Sequence, residues 1–255
     1  MSETHIQSVQ RAVNIINCFS EREYHLTLNE ISKKLNLNIN TVRGLVQTLL
    51  ANEILTYDKN KKVYSLGYFF NVKSELIKNN ISFLVDTCSP YLQEITNELK
   101  VACGFQIVQG DSIRPVYCRE PEDSGYRIVG NKYVALPYHA CASGKLILTY
   151  TLAPSDPHCL DKLELKKYTA KTIVSKEDLM SEIESIRKLG YAVENDEYES
   201  SIYSVAVPLF TSSGALFGTI SISGITSELQ SREQTLVEKL QSAKNKIEKN
   251  LHNYL

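Results

Sequence analysis

Residues 40–48 carry side chains that can form hydrogen bonds with the edges of nucleic-acid bases. In a helix over residues 38–52, Asn40, Arg43 and Gln47 fall opposite the apolar positions. Arginine can bond guanine bidentately, and asparagine or glutamine can bond adenine in the same way. In an isolated helix, such a face is more often simply solvated. The residues of this face that we predict to contact DNA are Asn38, Asn40, Thr41, Arg43, Gly44, Gln47 and Thr48, with the threonines placed to reach phosphates.

A second group of polar side chains lies near the carboxyl end of the chain, where hydroxyl residues alternate with isoleucine. Side chains alternate between the two faces of a strand, so these hydroxyls share one face. Such a face is often half solvated, but it can instead form the floor of a pocket for a small polar ligand. The hydroxyl residues are Thr219, Ser221 and Ser223, with Ser204 on the preceding strand.

The histidines and cysteines give little support for catalysis. The five histidines are scattered, and neither an HExxH metal motif nor a GxSxG nucleophile elbow occurs. His139 lies two positions from Cys141, and a Cys–His pair can form a nucleophile, but neighbours along a loop need not face each other. We therefore predict that the chain is not an enzyme and has no catalytic residues and no cofactor. Cys103, Cys118 and Cys141 are more typical of ordinary buried cysteines than of a redox site.

A metal site is not expected either. The six cysteines include no CxxC pair, which argues against structural zinc. An acidic cluster near residue 196 lacks histidine partners, so we predict a solvated loop there. The cluster comprises Glu194, Asp196, Glu197 and Glu199.

Three short helices are predicted to position the polar face. Residues 8–19 repeat apolar side chains at three- and four-residue spacing, as in an amphipathic helix with Val9 and Val13 inward. Thr27 and Glu30 have the capping-box spacing that opens a second helix. Asn38 is the predicted cap of the third helix, with Asn40 as the less favoured alternative. Two short helices joined by a tight turn form a helix-turn-helix. We include Thr27 among the predicted DNA contacts.

A basic hairpin follows the third helix. Residues 54–57 and 63–66 are predicted strands, and residues 58–62 form the turn. A hairpin in this position is a wing, which can lie beside the phosphate backbone. A solvated turn would explain any single lysine, but not the group of Lys59, Lys61 and Lys62.

The rest of the chain is predicted to be a linker helix and an α+β domain. The linker helix, residues 68–89, ends before Pro90. Its apolar positions would pack against a partner subunit, the next domain or its own chain. A mostly antiparallel sheet surrounded by helices follows. The predicted strands are residues 101–108, 113–118, 202–210 and 215–223, and the predicted helices include residues 91–100 and two that are capped by Ser175 and Ser231.

The composition is that of an ordinary globular protein. The 255 residues are 43% hydrophobic and 22% charged, which excludes fibrous and disordered classes. No stretch approaches the roughly 20 apolar residues of a membrane helix, and we expect a cytoplasmic protein with reduced thiols. Residues 1–66 have 8 basic and 6 acidic side chains, whereas residues 67–255 have 20 and 23. This asymmetry favours a nucleic-acid-binding head.

The order of these elements resembles the winged helix-turn-helix of the IclR family of bacterial transcriptional regulators. The similarity extends through residues 6–68. Two positions depart from the family pattern: Gly44 replaces a usual arginine, and Glu53 replaces a usual glycine before the wing, which suggests a different turn geometry. The segments LPYHACASGKLIL, GYAVENDEYESSIYSVAVPLF and ALFGTISISG also resemble family motifs in matching order.

The resemblance implies a GAF-like carboxy-terminal domain that binds a small organic acid. Ala142 and Ser143 would offer backbone N–H groups at the start of a helix, which favours an anion. Ser204 stands at a usual cysteine and Glu194 at a usual aspartate, so the effector can differ from those of other members. The implied effector residues are Gly125, Ile128, Leu136, Ala142, Ser143, Glu194, Ile202, Ser204 and Ser221.

The resemblance also implies the organisation and the role of the chain. We expect a DNA-binding domain over residues 1–67, a linker over 68–89, and an effector-binding and oligomerisation domain over 90–255. The expected partners are double-stranded operator DNA, the acid effector and a second copy of the chain, in a homodimer or homotetramer, with no membrane. The expected function is ligand-responsive regulation, with repression favoured over activation. The alternatives are a GAF-domain enzyme, which would reduce sulfoxides with Cys103, Cys118 and Cys141 or catalyse another reaction, and a winged-helix protein-docking module.

Overall fold

The computed structural model describes residues 6–20, 22–110, 112–122, 136–156 and 158–252. The chain divides into two compact units, Met1–Asn80 and Ile81–Leu255. Within the described ranges, no helix is long and apolar enough to cross a membrane.

The amino-terminal unit contains three helices and a hairpin. Its apolar side chains form one cluster that includes Ile15, Ile31, Val42 and Val46, each at most 1% exposed. The order of helices and strands is the one predicted for a winged helix-turn-helix. Its elements are α1 (Gln7–Ile16), α2 (Leu28–Leu35), α3 (Ile39–Ala51), β1 (Leu55–Asp58) and β2 (Val63–Leu66).

The predicted caps of α2 and α3 are confirmed. The Thr27 side chain accepts a hydrogen bond from the N–H of Glu30, and the Glu30 carboxylate accepts one from the N–H of Thr27 at 2.7 Å. Asn36 ends α2 with φ 50°, a left-handed conformation that asparagine tolerates. The Asn38 side chain accepts a hydrogen bond from the N–H of Asn40 at 2.8 Å, which begins α3.

The first helix is shorter and less buried than predicted. It ends at Ile16 instead of Phe19, because the N–H of Phe19 bonds the carbonyl of Ile16 at 3.2 Å, and a bond of this spacing tightens the chain beyond the helix. Val9 and Val13 were expected to point inward, but they are 58% and 43% exposed. Ile15 provides the fully buried contact instead.

The wing is an antiparallel hairpin in which Asp58 pairs with Val63. Asp58 was expected in the turn, but it is the last residue of β1. Its Oδ1 atom accepts hydrogen bonds from the N–H groups of Asn60 and Lys61 at 2.8 and 3.1 Å. These bonds, that of Lys61 first, lower the pKa of the Asp58 carboxyl. The side chain therefore holds the turn in place.

Glu53, which precedes the hairpin, adopts φ 58°. This value lies in the left-handed region that glycine occupies most easily. The expectation of a different turn geometry at this position is therefore wrong. Glu53 therefore adopts a strained left-handed backbone conformation. Its carbonyl accepts a hydrogen bond from the N–H of Phe69 at 3.3 Å.

The linker is part of one 31-residue helix, α4 (Phe69–Leu99), which passes through Pro90. The predictions that a helix ends before Pro90 and that a separate one covers residues 91–100 are both wrong. Proline removes one helical hydrogen bond, but the apolar stripe continues across it. Cys88 and Leu92 are fully buried in the core on either side of Pro90, and Ile95 is 4% exposed. Tertiary packing therefore carries the helix through the proline.

The described part of the second unit is built on a five-stranded antiparallel sheet in the order β4-β3-β7-β6-β5. Four of the strands match predicted segments closely. The fifth, β5, was not predicted, because it has only four residues and follows directly on a helix. The strands are β3 (Ala102–Gln109), β4 (Ser112–Arg119), β5 (Ala192–Asn195), β6 (Ile202–Phe210) and β7 (Leu216–Ile225).

The two faces of this sheet differ in chemistry. One face is apolar and packs against α4 and the last helix, through residues such as Phe105, Val205, Val207 and Ile222, all fully buried. The other face bears small and polar side chains. Ala142 and Leu146 of a short helix pack against that face, where they contact Ala192 and Ala206. The sheet is therefore covered on both faces rather than half solvated.

The remaining helices surround the sheet. Ser175 caps α8 as predicted, accepting the N–H of Asp178 at 3.1 Å. The predicted cap at Ser231 is wrong, because the closing helix starts at Glu233 after a 3₁₀ turn, with no side-chain cap. The described helices are α5 (Ala142–Ile147), a π-helical turn (Leu148–Leu152), α6 (Ala153–Ser155), α7 (Cys159–Lys162), α8 (Lys176–Leu189), α9 (Thr226–Leu229), a 3₁₀ turn (Gln230–Arg232) and α10 (Glu233–Leu251).

Candidate functional site

The outer face of α3 is a continuous polar surface. Val42, Val46 and Leu49 point into the core of the amino-terminal unit, which leaves the opposite side of the helix to solvent. Arg43 Nη1 donates to Asn40 Oδ1 at 2.9 Å, which orders both side chains. The exposed residues of this face are Asn40, Thr41, Arg43, Gly44, Gln47 and Thr48.

The two capping residues among the predicted DNA contacts already have local hydrogen bonds. Asn38 uses its side-chain oxygen to cap α3. The hydroxyl of Thr27 donates to the Glu30 carboxylate at 2.8 Å, and the Thr27 side chain is half-buried. The bonds from Thr27 also lower the pKa of Glu30, so that carboxylate stays charged at the start of α2. The geometry therefore gives both residues a structural role.

The wing places three exposed amino groups near its tip. Lys59, Lys61 and Lys62 are all exposed, and none of them forms a salt bridge with another described residue. Lys62 has φ 57°, which closes the turn. These unpaired cations form a local positive surface on a chain whose formal net charge is only −1.

The hydroxyl face of the second unit is a buried hydrogen-bonded cluster. The Thr219 hydroxyl lies 2.8 Å from Gln106 Oε1 and 3.1 Å from Ser143 Oγ. Gln106 Nε2 donates to Ser221 Oγ at 3.1 Å. Thr219 is fully buried, and the other three side chains are at most 8% exposed. The hydroxyls thus lie beneath α5 rather than in solvent.

The strand registers arrange the rest of this face. Glu194, Ser204 and Ser223 are neighbours across β5, β6 and β7, and the hydroxyls of Ser204 and Ser223 are 2.9 Å apart. Two residues further along each strand, the neighbours on the same face are small. This row consists of Ala192, Ala206, Ser221 and Gly104.

Two buried carboxylates border this face, contrary to the prediction of a solvated acidic loop. Glu194 is 5% exposed and Glu197 is 8% exposed. Burial raises the pKa of Glu194 to about 8 and also raises the pKa of Glu197. Glu194 Oε1 and Glu197 Oε2 have no hydrogen-bond partner among the described residues. No described group of histidines, cysteines and carboxylates has an arrangement that could hold a metal ion.

Lys145 balances the charge of this region. It is 1% exposed, and its Nζ atom donates to Glu197 at 2.7 Å, to Glu182 at 2.9 Å and to the Val193 carbonyl at 2.8 Å. A buried charge needs such partners. Neither Lys145 nor Gln106 was among the residues predicted from the sequence. The signal for Gln106 was its place between Phe105 and Ile107, which puts it on the face opposite the core.

The predicted effector residues fall into two groups. The first lies on or against the hydroxyl face: Ala142, Ser143, Glu194, Ile202, Ser204 and Ser221. Leu136 is half-buried at the beginning of the segment that leads to α5. Gly125 and Ile128 lie outside the described residues.

The geometry does not favour catalysis by a Cys–His nucleophile or sulfoxide reduction by cysteines. His139 Nε2 lies 2.9 Å from the Lys166 carbonyl, and Cys141 Sγ donates to the Pro137 carbonyl at 3.0 Å. His139 and Cys141 therefore bond to different backbone groups instead of to each other. Burial raises the pKa of Cys141 and of Cys103 to about 12, which keeps both as unreactive thiols.

Two known domain families match this chain. Residues 8–59 match the IclR helix-turn-helix domain, and residues 82–249 match the bacterial transcriptional regulator IclR C-terminal domain. The chain belongs to the IclR family of bacterial transcriptional regulators. As a member of the IclR family it is a regulator with a DNA-binding helix-turn-helix, and it is not an enzyme.

Individual members of the IclR family are similar over nearly the whole chain. The HTH-type transcriptional regulator XynR of Escherichia coli K12 is 27% identical over 243 residues, covering 93% of this chain and 94% of that protein. An IclR regulator from Alicyclobacillus acidocaldarius superimposes with a TM-score of 0.77 at 23% identity, covering 96% and 98%. An IclR homologue from Microbacterium hydrocarbonoxydans, solved with 4-hydroxybenzoate, gives a TM-score of 0.75 at 17% identity, with the same coverage. These structures share the fold.

Proposed function

We propose that this regulator binds operator DNA through α3 and the wing, and that a small organic acid on the hydroxyl face of the sheet changes its DNA affinity. The observation that carries the first part is the exposed polar face of α3, together with the three exposed lysines of the wing. Asn40, Arg43 and Gln47 would read bases, while Thr41, Thr48 and the wing lysines would bind phosphates. The protein would act in the cytoplasm, where its DNA is.

The proposed effector site is the face that bears Ser143, Ser204, Ser221 and Glu194. Ala142 and Ser143 begin a continuous helical stretch that runs to residue 155, and the first N–H groups of a helix lack partners within it. A carboxylate would accept hydrogen bonds from them and from the nearby hydroxyls. The Microbacterium homologue bound to 4-hydroxybenzoate supports an acid of similar chemistry. Leu136 and Ile202 would form apolar walls.

Self-association is part of the proposal. Val9 and Val13 of α1 are exposed, and so are Leu76 and Ile77 of α4, at 54% and 61%. Such apolar faces are usually covered in an assembly. A homodimer or homotetramer would present paired helix-turn-helix domains to paired half-sites. We propose repression as the output, because a protein that covers promoter DNA excludes polymerase.

The test is binding to the duplex upstream of the protein's own gene, at two salt concentrations and with a panel of small organic acids. We expect salt-sensitive binding that one acid changes. Arg43→Ala should weaken specific binding by about 1–3 kcal/mol, whereas Arg114→Ala, an exposed arginine in β4, should not. Salt-insensitive or absent binding would instead support a protein-docking module.

The effector site has a separate test. Calorimetry with the acid selected from the panel should show loss of affinity in the Ser204→Leu/Ser221→Leu variant, because two leucines fill the proposed site. Ser181→Leu, on the exposed side of α8, is the control. If the double variant bound the acid as tightly as the wild type, the effector would bind at another part of the chain.

A further inference from the structure

Gly44 has no structural reason to be a glycine. It lies inside the 13-residue helix α3, where glycine weakens a helix more than any residue except proline. It is not among the residues with positive φ, so the backbone does not require it. Apart from its chain neighbours and the backbone of its own helix, no described residue has a heavy atom within 4 Å of the position of an added Cβ. The packing of the chain would therefore accept alanine.

The missing side chain leaves a notch in the middle of the polar face. On a helix, the neighbours on the same side lie three and four residues away. For Gly44 these neighbours are Asn40, Thr41, Gln47 and Thr48, all exposed. The Thr48 hydroxyl donates to the Gly44 carbonyl at 3.2 Å, so that carbonyl already has a partner. What remains exposed at the bottom of the notch is the apolar Cα methylene, surrounded by polar side chains.

We infer that Gly44 sets operator specificity by receiving the C5-methyl group of a thymine. This inference rests on the proposed function, since it requires that α3 enters the major groove. The thymine methyl is the apolar group that the major groove presents on a base edge. No described heavy atom outside the chain neighbours and the helix's own backbone lies within 4 Å of the position of an added Cβ, so a methyl group of the DNA can take that position against the apolar Cα. Arg43, ordered by Asn40, is placed to bond a neighbouring base. A Cβ at residue 44 would occupy the space that the thymine methyl needs.

The experiment uses the full chain and duplexes that the wild-type protein selects from a random-sequence pool. Each thymine of a selected duplex is replaced singly by deoxyuridine, which removes only the methyl group. For the wild type we expect one thymine in each half-site whose replacement lowers affinity about fourfold, the effect of one buried methyl group. Gly44→Ala should bind the thymine duplex more weakly than the wild type does. Replacing that thymine by deoxyuridine should not lower the affinity of Gly44→Ala any further.

Stability measurements separate this effect from misfolding. Gly44→Ala should raise the thermal midpoint, because alanine favours the helix. Ser181→Ala, a small-residue change on the exposed side of α8, is the matched control and should leave DNA affinity and deoxyuridine sensitivity unchanged.

Three outcomes would overturn the inference. Equal deoxyuridine sensitivity in wild type and Gly44→Ala would show that the methyl group does not enter the notch. If Gly44→Ala bound every duplex sequence more weakly by the same factor, residue 44 would instead face the sugar-phosphate backbone. Absence of any salt-sensitive binding by the wild type would overturn the proposed function as well, so the two failures can be told apart.

Discussion

At the residue scale, the charged side chains beside the hydroxyl face are the part of the molecule that sequence patterns describe least well. The pattern around residue 196 indicates a solvated acidic loop, yet Glu194 and Glu197 are buried and Lys145 is almost fully enclosed. Pairing between Lys145 and Glu197 joins residues 52 positions apart. Local spacing cannot reveal such a partner, because folding alone brings the two elements together.

Loss of the Lys145 charge should destabilise the fold strongly. Lys145→Met leaves Glu197 and Glu182 without their cation, and we expect the free energy of unfolding to fall by about 3–5 kcal/mol. Lys239→Met is the matched control, because its ion pair with Glu98 is exposed and should contribute at most about 1 kcal/mol. Chemical denaturation measures both. Equal losses in the two variants would contradict this account of the buried pair.

The stability of the protein should depend on pH through Glu194. Burial raises the pKa of Glu194 from its ordinary 4.5 to about 8 in the folded state, so the folded protein retains a proton that the unfolded chain releases. Between these two values, rising pH therefore favours unfolding by up to about 1.4 kcal/mol per pH unit.

Glu194→Gln removes this titration. Its stability relative to the wild type should increase as pH rises from about 4.5 to about 8 and then stay constant. The raised pKa of Glu197 acts in the same direction in both proteins and largely cancels in the comparison. Denaturation curves at a series of pH values provide the measurement. A difference that is independent of pH would show that Glu194 titrates normally.

At the element scale, the capped starts of α2, α3 and α8 were predictable, whereas the ends of α1 and α4 were not. Thr27 and Asn38 cap α2 and α3 as expected, because capping depends on residues within three positions. The course of α4 through Pro90 was not predictable, since it depends on packing against a core formed by distant strands. The strand β6 matches its predicted bounds, residues 202–210, because a long run of apolar and β-branched residues signals a buried strand.

The capping box gives a prediction at this scale. Thr27→Ala should lower the free energy of unfolding by about 1 kcal/mol, because the first N–H groups of α2 lose their partner. Thr27→Ser keeps the hydroxyl and should retain most of the stability. Thermal denaturation measures both variants. If serine were as harmful as alanine, the methyl group of Thr27 rather than its cap would be responsible.

At the scale of the whole molecule, the amino-terminal unit was easier to predict than the sheet unit. Its helices and hairpin are local, so the residues that define them are close in sequence. The hydroxyl face joins β3 to β7 across more than 100 residues, as in the contact between Gln106 and Ser221. The sequence could show that Thr219 and Ser221 share a face, but not that α5 covers it.

Self-association gives the prediction at this scale. Leu76→Lys/Ile77→Lys places two charges on the exposed apolar side of α4, so we expect the assembly to dissociate. Analytical ultracentrifugation should show the protomer mass of 28.8 kDa for this variant and a multiple of it for the wild type. Glu75→Lys, an exposed and already polar position in the same turn, is the control. If the wild type also sediments as a single protomer, the exposed apolar residues of α4 do not mediate self-association.

The row of small residues on the hydroxyl face also has an evolutionary consequence. Ala192 and Ala206 lie side by side there, whereas the neighbouring Val205 points to the opposite face and builds the core. Every alanine codon becomes a valine codon through a single nucleotide change. Point mutations at residues 192 and 206 would therefore add methyl groups between the sheet and Ala142 and Leu146 of α5, while the apolar core on the opposite face stays intact. If the proposed effector binds on this face, a duplicated gene could change the acid that it recognises through such single mutations.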